Sequence, residues 1–211
     1  MEEDTDAWIV DYFKPYFNSI AYYSWLRKPD FCVDYKARWE RDKQLSVNAA
    51  PMRYELANFW RLARDPEYVN FLKEVDVKTV QLTFFGTEQM TDKYVGRKGA
   101  FQGLLKATEI LIANQIAPRW RTLINEENKQ EIVALLDLAE TLNIKERCQA
   151  FGAEFSFFVH SGSCDGENRK LYDIRIEKEH ISEALIQYYL NYEGRHSGFE
   201  YGKEGYSKRA G

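Results

Sequence analysis

The sequence predicts an α/β fold built on a parallel sheet. Two observations carry that expectation. Strand-like and helix-like segments alternate strictly over about eighty residues, from Thr79 to Val159. Each helix-like segment is long enough to cross back over a sheet, as parallel strands require. The strands are expected near 79–85, 116–124 and 155–159, adjacent in sequence order.

In chain order, Trp8 to Leu26 is aromatic-rich and interrupted by Pro15, with Trp8, Tyr12, Tyr16 and Ile20 on one helical face. Phe31 to Gln44 reads as a charged, mixed segment, and Leu45-Ser46-Val47-Asn48-Ala49 as a short strand. A helix is expected from Pro51 to Arg64 on Leu56, Phe59, Trp60 and Ala63. Asp65-Pro66 then restarts a helix, an N-cap followed by proline at the first helical position. Thr79 to Phe85 has the β-branched and aromatic content of a strand and stops at Gly86. Phe101, Leu104, Leu105, Thr108, Leu111 and Ile112 give an apolar helical stripe. Ile116 to Ile124 is the second strand, polar at one end through Arg119 and Arg121. Ile132, Leu135, Leu136, Ala139 and Leu142 make the next helix, with Asn128 as its N-cap, and Phe155 to Val159 the third strand. A final amphipathic helix is expected over Glu179 to Tyr192. The organisation is then a helical aromatic-rich region at 1–44, an α/β domain at 45–193 and a flexible glycine-rich tail at 194–211.

Composition narrows the function classes. The 211 residues carry a net charge of −4, a field that argues against nucleic-acid or anionic-membrane binding. Three cysteines, at 32, 148 and 164, form no CxxC pair and no disulfide framework, so reduced thiols in the cytoplasm are expected. Met1-Glu2-Glu3-Asp4 is acidic where a secretory signal is basic, and no apolar run reaches the ~18–20 residues of a membrane span.

In a parallel α/β sheet, ligands gather at the carboxyl ends of the strands. That rule selects Thr83, Phe85, Gly86 and Glu88, then Asn125 and Glu126, then His160 and Ser161. Arg119 and Arg121 lie within a strand and could face a barrel lumen. The plain alternative is that these are loop polars and strand-end caps. Gly96 to Gly103 places glycines and two cations before a helix, but lacks both GxGxxG and the Walker ending, so it reads as a helix-entry loop. His160 and Cys164 have H-x3-C spacing without a second close pair, so they read as structural rather than as a zinc site or a nucleophile–base pair.

The stretch Val80-Gln81-Leu82-Thr83-Phe84-Phe85-Gly86-Thr87-Glu88-Gln89-Met90-Thr91-Asp92, continued through Gly96-Arg97-Lys98-Gly99-Ala100-Phe101, Leu104-Leu105 and Ile124-Asn125-Glu126-Glu127-Asn128, resembles the radical S-adenosylmethionine (radical SAM) enzymes. In that family a strand ending SxDG precedes an ET/HD turn, an RGxxGSF helix start, an AIxxL helix and a strand closing in a TxxN turn. The resemblance covers about residues 45 to 160 and implies an arc of a partial (βα) barrel with parallel strands. It implies S-adenosylmethionine and a [4Fe–4S] cluster as cofactors, and Thr83, Gly86, Arg97, Arg121 and Asn125 as the cofactor-binding positions. Thr83 falls on the strand-end serine that contacts the methionine carboxylate, and Arg121 on a residue facing the adenosyl group. Arg97 stands two residues beyond Val95, which occupies the place of the usual arginine, and Phe85 replaces the usual aspartate.

The departure is upstream. The family holds its cluster with three cysteines in a CxxxCxxC loop, followed by a GGE strand end; neither occurs in this sequence. No metal-ligating set is therefore assigned, and the chain looks as if it begins after the catalytic third of the barrel. Three readings follow. The chain is a truncated or divergent radical SAM family protein, not catalytic by itself. Alternatively, a protein partner or upstream fragment supplies the missing strands and the cluster of an active enzyme. In the third, it is a non-catalytic α/β interaction protein.

Overall fold

The computed structural model describes residues 2–22, 33–49, 54–56, 59–161 and 173–189. Its centre is a four-stranded sheet in the order β1 (Tyr54–Leu56), β2 (Thr79–Phe84), β3 (Ala117–Ile124) and β4 (Ser156–Ser161). Every pairing is parallel, with Thr83 beside Arg121 and Arg121 beside Phe158. The helices follow the same chain order: α1 (Glu2–Phe13), α2 (Tyr35–Leu45), α3 (Phe59–Leu62), α4 (Pro66–Glu74), α5 (Glu88–Val95), α6 (Ala100–Ala113), α7 (Lys129–Thr141), α8 (Ile144–Gln149) and, after a 3-10 turn at Lys178–His180, α9 (Glu183–Ile186). The three strands expected from the sequence are present, in the expected order.

Strand alternation sorts the sheet into two faces. Val80, Leu82 and Phe84 of β2 and Trp120 and Ile124 of β3 are buried in one core with Leu104, Ala107 and Leu111 of α6 and Ile132 and Leu135 of α7. Burying side chains of this size is worth about 1.5–3 kcal/mol each. Trp120 packs on Phe84 with ring centroids 4.4 Å apart, and its indole N–H donates to Thr108 Oγ1 at 3.0 Å. That bond satisfies the one polar atom of the largest buried side chain.

Four expectations need correction. Pro51 to Arg64 is not one helix: Tyr54–Leu56 pairs with Thr79–Gln81 as β1, and only Phe59–Leu62 is helical in the described part. Ladder bonds to a neighbouring strand override a helix-like apolar spacing in so short a segment. Leu45 to Ala49 is not a strand either. The charged segment before it folds as α2 through Leu45, and Val47 makes one antiparallel bridge, exchanging backbone bonds of 2.8 Å with Ile20. Third, Tyr16 and Ile20 do not share a helical face with Trp8 and Tyr12, because α1 stops before Pro15, which cannot donate a helical bond; Trp8, Tyr12 and Tyr16 are exposed, at 64%, 55% and 70%. The rings stack on one another instead, Trp8 on Tyr12 at 5.7 Å. Fourth, the final helix is only the 3-10 turn and α9, after which Tyr189 bridges in parallel to Val159. The tail at 194–211 lies outside the described residues, as do Cys32 and Cys164. Asp65 caps α4 as read, accepting from Glu67 N at 3.1 Å with Pro66 behind it.

α2 attaches to the α/β part through aromatic edges. Tyr35 meets Tyr68 and Phe71 of α4 at 5.1 and 5.2 Å, and Arg61 lies 4.7 Å over the Tyr35 ring. Among the described residues no helix is long and apolar enough to cross a membrane.

Candidate functional site

The sheet face opposite α6 carries the polar strand residues. Thr83, Arg119 and Arg121 are half-buried there, and Gln81, Phe158 and His160 are buried. Their adjacency follows from register, because parallel partners share a face. Arg121 Nε donates to His160 Nε2 at 2.5 Å, while His160 Nδ1 lies 3.0 Å from the Ser161 carbonyl. A carbonyl can only accept, so Nδ1 carries the proton and Nε2 is the acceptor. Burial first, and the Arg121 charge second, hold the His160 pKa below the usual imidazole value. The imidazole is therefore kept neutral and orients the guanidinium beside it. Arg119 stands 4.1 Å over the Phe158 ring, which in turn lies parallel to His160 at 6.2 Å. The face thus gathers two half-buried cations, a hydroxyl and two buried rings.

The carboxyl ends of β2 and β3 form a second, separately organised region. Asn128 is fully buried; its amide donates to the carbonyls of Phe85 and Leu123 at 2.8 and 2.7 Å, and its Oδ1 accepts from Asn125 N at 2.7 Å. It ties the two strand ends together. Asn125 Oδ1 accepts from the N–H groups of Glu127 and Asn128, and its amide donates to Tyr94 Oη at 2.8 Å. Tyr94 Oη donates onward to Glu127, which also takes Lys93 Nζ at 2.9 Å. Those two donors, the lysine foremost, hold the Glu127 carboxyl below its ordinary range. Gly86 has φ +138°, a left-handed backbone, and a Cβ there would come within 2.7 Å of Glu131 Cβ. Glu131 in turn accepts from the backbone N–H of Thr87 at 2.9 Å and from its hydroxyl.

Of the five positions named from the sequence, Thr83 and Arg121 therefore share the sheet face opposite α6. Gly86 and Asn125 stand at the strand ends, where intramolecular bonds account for their groups. Arg97 is elsewhere: its guanidinium lies 3.8 Å from the ring centroid of Trp60 on α3. The helix-entry loop is filled from within, since Asp92 accepts from Gly99 N at 2.5 Å and Phe101 N at 2.9 Å. Burial opposes the Asp92 charge, yet these N–H groups, that of Ala100 and Lys98 outweigh it and keep its pKa low.

Sequence reasoning took Asn128 for an N-cap alone and missed Tyr94 and Glu131, whose partners are 31 and 44 residues away. Cys148 is buried, and burial pushes its thiol up to about 11, which removes it as a nucleophile at neutral pH. His180 bonds Glu126 at 2.6 Å. Among the described residues no group of three or more His, Cys, Asp or Glu is placed to hold a metal ion.

The chain is 29% identical over 117 residues to Fe-coproporphyrin III synthase of Methanosarcina barkeri (strain Fusaro / DSM 804). The match takes in 54% of this chain and 29% of that protein, so the chain spans under a third of the length of the curated relative. No family model matches.

Proposed function

We propose that this chain is a divergent protein related to the radical SAM enzymes, whose ligand-facing side is the sheet face bearing Thr83, Arg121 and His160. The distant likeness to Fe-coproporphyrin III synthase, a radical SAM enzyme, supports the relationship. The observation that carries the site is the parallel order β1-β2-β3-β4 with helices packed on one face and an arginine–histidine pair on the other.

The residues of this chain do not fit a [4Fe–4S] cluster. Its three cysteines are dispersed at 32, 148 and 164, whereas the family's cluster needs three thiolates in one short loop. Cys148 is committed to the core with a raised pKa. Radical generation by this chain's own residues is therefore not part of the proposal. What that sheet face can supply is recognition: the Thr83 hydroxyl and the Arg121 fork toward a carboxylate, with neutral His160 holding Arg121 in place.

Calorimetric titration with S-adenosylmethionine tests this reading. A few hydrogen bonds worth about 0.5–1.5 kcal/mol each barely offset an association cost of at least ~4 kcal/mol. Binding no tighter than millimolar, weakened further by Arg121→Ala, is the expected result. A micromolar constant lost in Thr83→Ala or Arg121→Ala would instead favour an active component completed by another chain that carries the cluster. Binding indifferent to both substitutions would remove that sheet face as the site.

A further inference from the structure

Trp60 holds two arginines. Arg64 Cζ lies 3.1 Å and Arg97 Cζ 3.8 Å from its ring centroid, so the two guanidinium groups are no farther apart than the sum of those distances. Arg97 comes from the loop between α5 and α6, and Trp60 from α3, which packs along α6; Phe59 lies 3.2 Å from where a Cβ on Gly103 would stand. This corner belongs to the helical layer, across the sheet from Thr83 and Arg121.

A guanidinium stacked by its face on an indole keeps its N–H groups in its own plane, available to acceptors at the edge. Neither Arg64 nor Arg97 has a hydrogen bond or ion pair with a carboxylate among the described residues. The contrast with other arginines is clear: Arg61 pairs with Asp65 at 2.9 Å, Arg147 with Glu109 at 2.6 Å and Arg41 with Asp6 at 3.6 Å. Neighbouring acids are already engaged, Asp65 by Arg61 and the N–H of Glu67, and Asp92 by the start of α6. Lys98 adds a third cation next to Arg97. In a chain of net charge −4, two like charges gathered on one ring form a local field that a bound anion would relieve.

We propose that Arg64, Trp60 and Arg97 form a binding site for a phosphate group carried by a small molecule. A tetrahedral phosphate offers oxygens to two forks at once, which a single carboxylate does less well. The site involves no residue of the sheet face opposite α6, so its fate is independent of the S-adenosylmethionine reading.

The test is a titration of the isotope-labelled protein with inorganic phosphate and with phenyl phosphate at constant ionic strength. The indole N–H of Trp60, assigned by its loss in Trp60→Phe, and the arginine Nε–H groups are followed by NMR. Saturable shifts of these signals with both ligands are expected, weakened roughly tenfold or more in Arg64→Ala and in Arg97→Ala, as befits loss of charge-assisted bonds. Lys106→Ala, which removes an exposed cation elsewhere on α6, should leave the constant within about twofold. The Trp120 indole signal, bonded in the core to Thr108, reports in the same spectra that each variant is folded. Absence of a saturable shift at millimolar ligand overturns the proposal. So does equal weakening by Lys106→Ala, which would mean diffuse attraction.

Discussion

The two faces of one sheet have been put to opposite uses. Along β2, Val80, Leu82 and Phe84 are fully buried against helices, while on the opposite face Thr79 and Thr83 are half-buried and Gln81 is buried. Along β3 the same alternation sets Trp120 and Ile124 against Arg119 and Arg121. The helix-covered face is apolar and densely packed, so it specifies register: a slip of one residue would bury the arginines in the core. The other face carries the arginines and hydroxyls, with Gln81, Phe158 and His160 buried among them. Apolar core positions and polar ones are thus separated by the pleat of the backbone, one residue apart.

Substitutions on neighbouring positions sharpen that contrast. Trp120→Ala removes a fully buried indole and its bond to Thr108, and should cost about 3–5 kcal/mol in urea denaturation. Thr83→Ala, on the opposite face, should cost under about 1 kcal/mol. Comparable losses at both positions would break the division of the sheet into an apolar packing face and a polar face.

Gly86→Ala comes next in size. The φ of +138° strains any L side chain, and the new Cβ would lie 2.7 Å from Glu131 Cβ and 3.0 Å from Met90 Cβ. Relief requires moving the start of α5 or α7, at a cost of roughly 2–3 kcal/mol. A near-neutral midpoint would show that this turn relaxes freely and that the strand end is not fixed by its backbone.

Asn128→Ala leaves the Phe85 and Leu123 carbonyls and the Asn125 N–H without their partner. Buried groups stripped of a partner cost about 1–3 kcal/mol, and loss in that range by thermal or urea unfolding is expected. Asn128→Asp should not rescue it, since a carboxylate cannot donate to two carbonyls. Rescue by aspartate would mean that only the acceptor side of Asn128 matters.

These effects differ in how far the sequence reveals them. The three longer strands were legible because β-branched and aromatic residues cluster in them and long apolar helices, α6 and α7, separate them. β1 was not, because three residues inside a helix-like stripe become a strand only when Thr79–Gln81 is there to pair with them. Likewise Gly86 was legible as a strand stop, but its close approach to Glu131 was not. The pairing of Arg121 with His160 joins residues 39 apart, and only the parallel register of β3 and β4 brings them together. Arg97 was selected by motif spacing; the Trp60 ring that holds it belongs to a segment read as an uninterrupted helix.

The smallest effect is a slope with pH, and it probes the polar face directly. His160 in the folded chain has a pKa lowered by burial and by Arg121, while in the unfolded chain it titrates near the ordinary ~6.5. Below that value the unfolded state binds the proton more readily than the folded one, so stability is full above the unfolded pKa and falls as pH drops toward the folded value. The carboxylates with lowered pKa, Asp92, Glu109, Glu126 and Glu127, act at lower pH and leave the window from about 7.5 to 5.5 to imidazole. Urea midpoints across that window should decline more steeply for the unaltered chain than for His160→Gln, in which the amide oxygen can still accept from Arg121 but cannot be protonated. Protonating His160 removes the acceptor for Arg121 Nε and sets two cations side by side, which is why the folded chain resists the proton. Identical slopes in the two proteins would mean that His160 titrates as it does in water, and that the polar face is wetter and less ordered than its hydrogen bonds imply.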